Sequence, residues 1–340
     1  MRKSLVFWIC FITSLSAVSI IAMDTQTRAI SDNYESYEDV YEALKRAGIE
    51  SSNLIIGIDF TKSNMTQGNK TYVPQMAKYP DGECFENLHK SDLRWLNPYQ
   101  QVISIMAKTL DKFDEDKIYP AFGFGDVKTK ATGVFNITNT TNYCQGLDQV
   151  FVAYQNTANN VQMSGPTSFE PMIEKAMEIV YEAKASYHIL VIITDGDISK
   201  GYELSNIAAL KKASLFPLSI IVVGVGDGPF DQMEDFDDQV EGRLFDNLQF
   251  INFTGLMEKN STSLKKMEVQ FALNATMEIP EQYKLIKEKN IMGNEYAQEV
   301  LSKVINDDGK NRKTKKYINK FMKKPFESSD SKKARKSSWW

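Results

Sequence analysis

Cysteine and histidine are scarce in this chain of 340 residues, which contains three Cys and two His. Neither type occurs after residue 196, so that part of the chain offers no ligands for a zinc finger, which needs four Cys or His side chains for each ion. A P-loop and a glycine-rich dinucleotide fingerprint are also missing. These absences exclude a RING-type zinc module after residue 196 and argue against the common nucleotide-dependent enzymes.

The charge of the chain is unevenly distributed. The formal net charge is −4, yet residues 310–340 carry 12 Lys or Arg against two acids, which leaves this segment at +10 and the rest at −14. Because the segment is also poor in apolar residues, we interpret 310–340 as a basic, mostly disordered tail. A contact with an anionic membrane surface is the alternative, and binding to nucleic acid is not expected.

The N-terminus has the pattern of a targeting segment. Arg2 and Lys3 precede an uncharged run of 19 residues, Leu5–Met23, with small side chains near its end. We interpret residues 1–22 as a secretory signal peptide or, since about 20 apolar residues span a bilayer, as a signal anchor. Either alternative places the following residues in the secretory lumen or outside the cell.

A secretory route would expose the chain to glycosylation and oxidation. Seven N-x-[ST] sequons occur, and the one at Asn252 lies in a strand pattern too close to the predicted sheet to accept a glycan. The other candidates are Asn64, Asn69, Asn136, Asn139, Asn260 and Asn274. Cys84 and Cys144 could form a disulfide in that compartment or remain two unpaired thiols.

Short apolar runs alternate with helical patterns through the middle of the chain. The runs are rich in β-branched and aromatic residues, as strands buried on both faces are, and four of them end near Asp59, Asp126, Asp195 and Asp227. Helical spacing marks the segments between them, at 98–113, 168–184 and 204–215. This alternation predicts a doubly wound α/β domain with a mostly parallel sheet and helices on both faces.

The same patterns divide the chain into five parts. These are the targeting segment, 1–22; an N-terminal segment with a helix, 23–49; the α/β domain, 50–260; C-terminal helices expected to pack on the domain, 261–309; and the basic tail, 310–340. Doubly wound sheets bind their ligands at the carboxyl ends of the strands. Functional residues are therefore expected where the apolar runs end.

The stretch GIDFTKSN, residues 57–64, places one carboxylate and two hydroxyls at such a strand end. Asp59, Thr61 and Ser63 fit the pattern D-x-[ST]-x-[ST], whose spacing in a turn can aim all three side chains at a common point. Weakly charged oxygen ligands of this kind suit a hard cation such as Mg²⁺. The alternative is a set of ordinary polar groups that cap a strand end or a helix.

Two more stretches complete a recognisable pattern. Thr167 lies in SGPTSF ahead of a predicted helix, and Asp195 lies at the strand end IITDG. With the first segment they closely resemble the metal-ion-dependent adhesion site of von Willebrand factor A domains. The resemblance implies one divalent cation, Mg²⁺ or else Mn²⁺ or Ca²⁺, completed by a carboxylate of a protein partner; its ligands would be Asp59, Thr61, Ser63, Thr167 and Asp195. Asp126 would either support these ligands by hydrogen bonds or cap a turn.

The similarity extends over residues 36–290. ESSNLIIGIDFTKSN, FGFGD, SGPTSFEPMI, YHILVIITDG and PLSIIVVGVGDGPFDQMEDFDD resemble the copine-type A domain, and the helix ahead of ESSN is especially similar to that of the copine-like RING-domain ubiquitin ligases. The chain departs from both groups. The short segment before the first strand leaves no room for a C2 domain of the copines, and the ligands of a RING finger are missing, so RING-type ligase activity is not expected.

The function expected on this basis is non-catalytic: a secreted or lumenal protein that binds a protein partner through a divalent cation. A copine-like adaptor that uses the basic tail on anionic phospholipid is the alternative. An enzyme that positions a phosphate with the same metal is a third hypothesis. A dehalogenase-type phosphotransferase is disfavoured, because Thr61 stands where that class needs a second aspartate, and neither His89 nor His188 neighbours a serine nucleophile.

Overall fold

The computed structural model describes residues 34–70, 87–90, 95–259 and 263–293, together with residues 299, 302 and 303. The segments interpreted as a targeting segment and a basic tail, and also Cys84 and Asn260, lie outside these residues. Within the described ranges, we find no helix with the length and apolar character needed to cross a membrane.

Parallel pairing dominates the central sheet. Its strands are β1, Asn53–Asp59; β3, Ala121–Phe124; β4, Phe135–Asn136; β6, His188–Thr194; β7, Leu218–Gly224; and β8, Leu248–Asn252. Their order across the sheet is β4-β3-β1-β6-β7-β8, and only β4 runs antiparallel to its neighbour among these six. A separate antiparallel pair joins β2, Ile118–Tyr119, to β5, Cys144–Gln145.

Nine helices are described, one ahead of the first strand and the others between or after the strands. They are α1, Tyr37–Arg46; α2, Pro98–Leu110; α3, Leu147–Asn160; α4, Glu170–Glu182; α5, Glu203–Ala213; α6, Asp231–Gln239; α7, Phe253–Lys259; α8, Leu264–Thr276; and α9, Ile279–Glu288. Short 3-10 turns cover Lys62–Met65 and Asp111–Phe113. The helix start at α2 is well specified, because Asn97 and Gln100 form a reciprocal capping box and Pro98 takes the first helical position.

Burial of the strands explains why both faces of the sheet carry helices. Every residue of β6 and β7 is buried, and successive side chains of a strand point to opposite faces. Both faces must therefore be covered, as in a doubly wound sheet. The predicted α/β fold is confirmed. The C-terminal helices α8 and α9 pack on this domain, with Phe271 against Phe253 at 4.9 Å and Tyr283 against Tyr187 at 4.8 Å between ring centroids.

The sheet brings its functional side chains together at one edge. β1 and β6 are parallel neighbours in which Ile58 pairs with Ile193, so the residues that follow, Asp59 and Thr194, reach the same edge side by side. Asp195 comes directly after β6. The carboxyl ends of the two central strands therefore deliver both candidate aspartates to one place.

Candidate metal centre

Asp59 is the buried anchor of the site. Its side chain is fully buried at the end of β1, and both carboxylate oxygens accept hydrogen bonds. Oδ1 accepts from the backbone N–H of Thr61 at 2.8 Å, and Oδ2 accepts from the hydroxyl of Thr194 at 2.7 Å. The first bond closes the turn after the strand, so it also fixes where the Thr61 side chain stands.

A chain of hydrogen bonds links the hydroxyls to the second aspartate. The Thr61 and Ser63 hydroxyl oxygens are 3.0 Å apart, and the Ser63 hydroxyl donates to Asp195 Oδ1 at 3.0 Å. The other carboxylate oxygen, Asp195 Oδ2, is buried and has no hydrogen-bond partner among the described residues. A buried carboxylate oxygen without a donor is costly, and a cation would satisfy it.

Thr167 reaches the same pocket from a separate loop. Its backbone N–H donates to the Ser199 hydroxyl oxygen at 2.9 Å, and the Ser199 N–H donates back to the Thr167 carbonyl at 3.0 Å. Together with Thr61 and Ser63, Thr167 lines a pocket of about 310 Å³. Thus four of the five predicted ligands are joined by hydrogen bonds, and the fifth, Thr167, shares a pocket with two of them.

Asn206 of helix α5 holds the loop that carries Thr167. Its side-chain oxygen accepts from the N–H groups of Phe169 and Glu170, at 2.7 and 2.9 Å, where α4 begins. Its amide nitrogen donates to the Ser168 hydroxyl at 3.0 Å. Asn206 therefore serves as an N-cap from another helix and fixes the residues next to Thr167.

The carboxyl groups of Asp59 and Asp195 are both buried. Burial raises the pKa of the Asp59 carboxyl above its usual range, while burial and then the charge of Asp59 raise the pKa of Asp195 well above it. Both shifts indicate that it is unfavourable for the two buried carboxyl groups to be ionised at the same time. A divalent cation between them would reverse this preference, because it compensates both charges.

The donor set fits a hard cation. Asp59, Asp195 and the three hydroxyls supply only oxygen, and within the described residues no group of three or more His, Cys, Asp or Glu side chains forms a conventional metal cluster. Oxygen ligands with hydroxyls in the set suit Mg²⁺ or a similar ion, whereas zinc and copper favour nitrogen and sulfur. The residues present therefore fit an Mg²⁺-type site.

Asp126 has a different partner. It is buried after β3, and its Oδ1 accepts from the backbone N–H of Thr129 at 2.8 Å and from the Thr129 hydroxyl. These bonds cap the turn that begins at Asp126. Of the two roles considered for this residue, the contacts support the turn cap and give no support to hydrogen bonds with the candidate ligands.

Asn64 cannot carry the predicted glycan in the folded domain. Its side chain is completely buried and fully hydrogen-bonded within the domain. A glycosylated side chain must stand in solvent, so this prediction is wrong. Asn69 is exposed and donates to the Thr66 carbonyl at 2.6 Å, whereas Asn136 and Asn274 are half-buried and Asn139 is exposed.

The predicted disulfide remains a prediction. Cys144 is buried and has a free thiol in the part of the chain that the structure describes, and burial raises the pKa of this thiol to about 11. Its proposed partner, Cys84, lies outside the described residues. A buried thiol of this kind is a poor nucleophile, so Cys144 is not a catalytic candidate.

The sequence patterns did not predict that three further residues belong to the site. Thr194 bonds Asp59 directly, and its only sequence signal is its place ahead of Asp195 at the strand end. His89 and Tyr99 lie beneath Asp59 in a buried polar cluster, where the Nε2 atom of His89 is 2.9 Å from the Asp59 carbonyl oxygen. Nothing local in the sequence marks these two residues, because tertiary packing brings them to the strand end.

Comparison with known proteins connects this geometry to one family. The sequence profile of the family described as Copine matches residues 87–295. E3 ubiquitin-protein ligase RGLG1 of Arabidopsis thaliana is 44% identical over 280 residues, which cover 79% of this chain and 55% of that protein. Copine family protein 2 of Caenorhabditis elegans is 45% identical over 263 residues, which cover 76% of this chain and 3% of that protein. The chain thus spans little more than half the length of RGLG1.

A solved structure with a similar arrangement is a von Willebrand factor type A protein from Catenulispora acidiphila. It superposes with a TM-score of 0.39 at 14% identity, covering 66% of this chain and 43% of that protein. The strand order described above, rather than this distant likeness, carries the assignment of the fold.

The relatives correct three predictions about function and location. Five of them, 41 to 44% identical, are named E3 ubiquitin-protein ligases. The prediction of a secreted, non-catalytic binding protein is therefore wrong, since the relatives bear the name of an enzyme. The predicted secreted or lumenal location is contradicted by the same relatives, which include Copine family protein 2. Glycosylation at the other five asparagines stays a prediction, and the copine-like alternative agrees better with these relatives.

Proposed function

Because this chain belongs to the copine family, we propose that it is an adaptor at anionic membrane surfaces, with a divalent-cation site on its A domain and a basic tail that contacts phospholipid. The charge distribution supports the second part, since residues 310–340 carry +10 against −14 elsewhere. Each basic residue near an anionic membrane surface contributes about 1 kcal/mol to binding. A tail of this charge can hold an acidic domain at such a surface.

The observation that carries the cation site is the buried pair Asp59 and Asp195, with Asp195 Oδ2 lacking a donor among the described residues. These carboxylates and the hydroxyls of Thr61, Ser63 and Thr167 would hold the ion, Mg²⁺ in the first place and Mn²⁺ or Ca²⁺ as alternatives. A bound cation would offer an anionic oxygen of a partner a place at the pocket. The partner proposed here is a protein that presents an acidic side chain.

The cation site is tested by calorimetric titration of the full chain with Mg²⁺, Mn²⁺ and Ca²⁺. We expect the wild type to bind and Asp59→Ala to lose binding, because the buried anchor of the site is removed. Asp126→Asn is the matched control: it also changes a buried aspartate at a neighbouring strand end, but one that bonds Thr129. Equal binding by wild type and Asp59→Ala would refute the site.

The membrane role is tested by sedimentation with vesicles. We expect the full chain to bind vesicles rich in phosphatidylserine and not vesicles of phosphatidylcholine alone. Binding should weaken as salt is added, because the Debye length is only about 8 Å at physiological ionic strength. A chain that ends at residue 309 should lose this binding. If the shortened chain binds as well as the full chain, the tail has no such role.

Ubiquitin transfer is the second candidate function. The favouring observation is the 44% identity to RGLG1, which extends over 79% of this chain. Residues after 196 contain no Cys or His and so supply no zinc ligands of their own, and the part proposed for this chain is to hold the substrate while a RING module transfers the ubiquitin. Reconstituted ubiquitylation with and without an added RING protein tests this. Transfer that never depends on the chain would exclude it.

A further inference from the structure

Asn64 directly follows residues 59–63, the proposed cation-binding segment, and every polar atom of its side chain is hydrogen-bonded. Its Nδ2 donates to the carbonyl oxygens of Asp59 and Thr61, at 3.3 and 3.1 Å, and its Oδ1 accepts from the Tyr99 hydroxyl at 2.6 Å. A carbonyl oxygen can only accept, so the amide nitrogen must face the two carbonyls. The contacts therefore fix the orientation of the amide and use both of its hydrogens.

The carbonyl of Asp59 is held from a second direction. His89 stacks between Phe60 and Tyr99, with ring centroids 4.6 and 4.1 Å away, and its Nε2 is 2.9 Å from the Asp59 oxygen. Because that oxygen accepts, Nε2 carries the hydrogen and donates it. Two side chains from separate segments thus converge on one backbone carbonyl.

Tyr99 connects this arrangement to a rigid element. It lies in the first turn of α2, is completely buried, and donates its hydroxyl hydrogen to Asn64. The helix is therefore tied through Asn64 to the backbone of two candidate ligands. Fixing the carbonyls of Asp59 and Thr61 limits the rotation of their backbones and so limits where their side-chain oxygens can lie.

We propose that Asn64 is a positioning residue of the cation site, which, with Tyr99, holds Asp59 and Thr61 in the arrangement that lets their oxygens reach one ion. This inference rests on the proposed cation site and deepens it. Groups that orient metal ligands from outside the coordination shell change affinity by about 10- to 100-fold when they are removed. Asn64 acts through the backbone, so the lower end of this range is expected.

The test measures Mn²⁺ binding by the full chain, from the electron paramagnetic resonance signal of the free ion, alongside stability in urea. Tyr99→Phe removes one hydroxyl and leaves Asn64 in place. Its matched control is Tyr187→Phe, which also removes a buried tyrosine hydroxyl, one that lies 2.8 Å from Ser219 Oγ. Tyr187 precedes β6, so it lies at the opposite end of the strand from Asp195, about 26 Å away at the rise of a β-strand.

We expect Tyr99→Phe to weaken Mn²⁺ binding about three- to tenfold and Asn64→Ala about tenfold or more. Tyr187→Phe should lose a similar amount of stability but keep its affinity within about twofold. If Asn64→Ala does not fold, Tyr99→Phe against Tyr187→Phe still decides the question. This comparison separates positioning from stability. If the Tyr99 hydroxyl only stabilised the fold, both tyrosine variants would lose similar stability and keep similar Mn²⁺ affinities.

The two proposals can fail separately. If the wild type binds Mn²⁺, Asp59→Ala does not, and Tyr99→Phe binds as the wild type does, the cation site stands and the role of Asn64 is refuted. If Tyr187→Phe weakens binding as much as Tyr99→Phe, the role is refuted too, because the effect is then general. If the wild type binds no Mn²⁺, the site itself is refuted and the role of Asn64 with it.

Discussion

At the scale of single residues, His89 shows how burial changes a common side chain. Its ring is enclosed by aromatic neighbours, and its Nδ1 lies 2.8 Å from the Tyr154 hydroxyl. Since Nε2 donates to the Asp59 carbonyl, the neutral ring must accept at Nδ1, so the Tyr154 hydroxyl hydrogen is shared between this nitrogen and Asn97 Oδ1, which lies 3.2 Å from the hydroxyl oxygen. Burial lowers the pKa of His89 to about 3. The imidazole is therefore neutral in the folded domain at any physiological pH.

This shift predicts a loss of stability in mild acid. The unfolded chain binds a proton at His89 near the ordinary pKa of about 6.5, whereas the folded chain binds it only near 3. Between these values the unfolded state holds more protons, so the free energy of unfolding falls as the pH falls, by up to about 1.4 kcal/mol per pH unit. Urea unfolding at pH 7, 6 and 5 measures this slope.

The control for this prediction is His89→Gln, which has no group that titrates in this range. The difference in slope between wild type and variant isolates the contribution of His89 from those of His188 and the acidic residues. Identical slopes in both proteins would contradict a neutral, buried His89.

At the scale of structural elements, the end of β3 depends on a glycine. Gly125 has φ of +81°, and a Cβ built there would lie 2.4 Å from the Thr61 Cγ2 atom. The backbone of β3 therefore approaches the cation-binding segment so closely that only glycine fits. This close approach explains how two neighbouring strands share one polar edge.

The expected effect of Gly125→Ala follows from this contact. The left-handed backbone alone costs an alanine about 1 to 2 kcal/mol, and the collision displaces Thr61 in addition. We expect a loss of stability of at least that size in urea and weaker Mg²⁺ binding. Gly133→Ala is the matched control, since a Cβ there meets no atom within 4 Å. It should change stability by less than about 0.5 kcal/mol, and equal effects of both variants would contradict the explanation.

Elements that are buried on all sides could be predicted from the sequence, whereas a mostly exposed helix and very short strands could not. β6 and β7 appear as nearly continuous apolar runs because all of their residues are buried. Helix α3 was missed, since only Val150, Tyr154 and Thr157 of its residues are buried and Gly146 at its start offers no capping side chain. Strands of two residues, such as β4, are too short to show a period.

The candidate site divides in the same way. Asp59, Thr61 and Ser63 are close in sequence, so their spacing could be interpreted, and the family resemblance supplied Thr167 and Asp195. The prediction of a glycan at Asn64 was wrong because a sequon specifies three residue types and carries no information about whether the asparagine is buried. Its partner Tyr99 lies 35 residues further along the chain, and His89, which bonds the same Asp59 carbonyl as Asn64 does, lies 25 residues further along. Only the packing of α2 and the segment 87–90 against β1 brings them to Asn64.

At the scale of the whole molecule, the proposed cation site would link charge and stability. The chain outside residues 310–340 carries −14, so its field attracts cations in general, while the buried pair of aspartates is the proposed place for one. Without a cation, the raised pKa of Asp59 and Asp195 means that the folded state holds protons that the unfolded state has released. The contribution of this pair to stability is therefore present at low pH and is lost as the pH rises through the raised values.

A bound cation should reverse this dependence on pH. An ion at 100 times its dissociation constant raises the free energy of unfolding by about 2.7 kcal/mol, and protons compete with it for the same carboxylates. We expect the increase in melting temperature with Mg²⁺ to be larger at pH 7.5 than at pH 5. Asp195→Asn should lose this increase without becoming less stable in chelator, because the variant no longer buries two like charges. Differential scanning calorimetry of both proteins at pH 7.5 and pH 5, with Mg²⁺ and with chelator, measures these melting temperatures. A wild type whose gain from Mg²⁺ is the same at both pH values would show that the ion binds elsewhere than at these carboxylates.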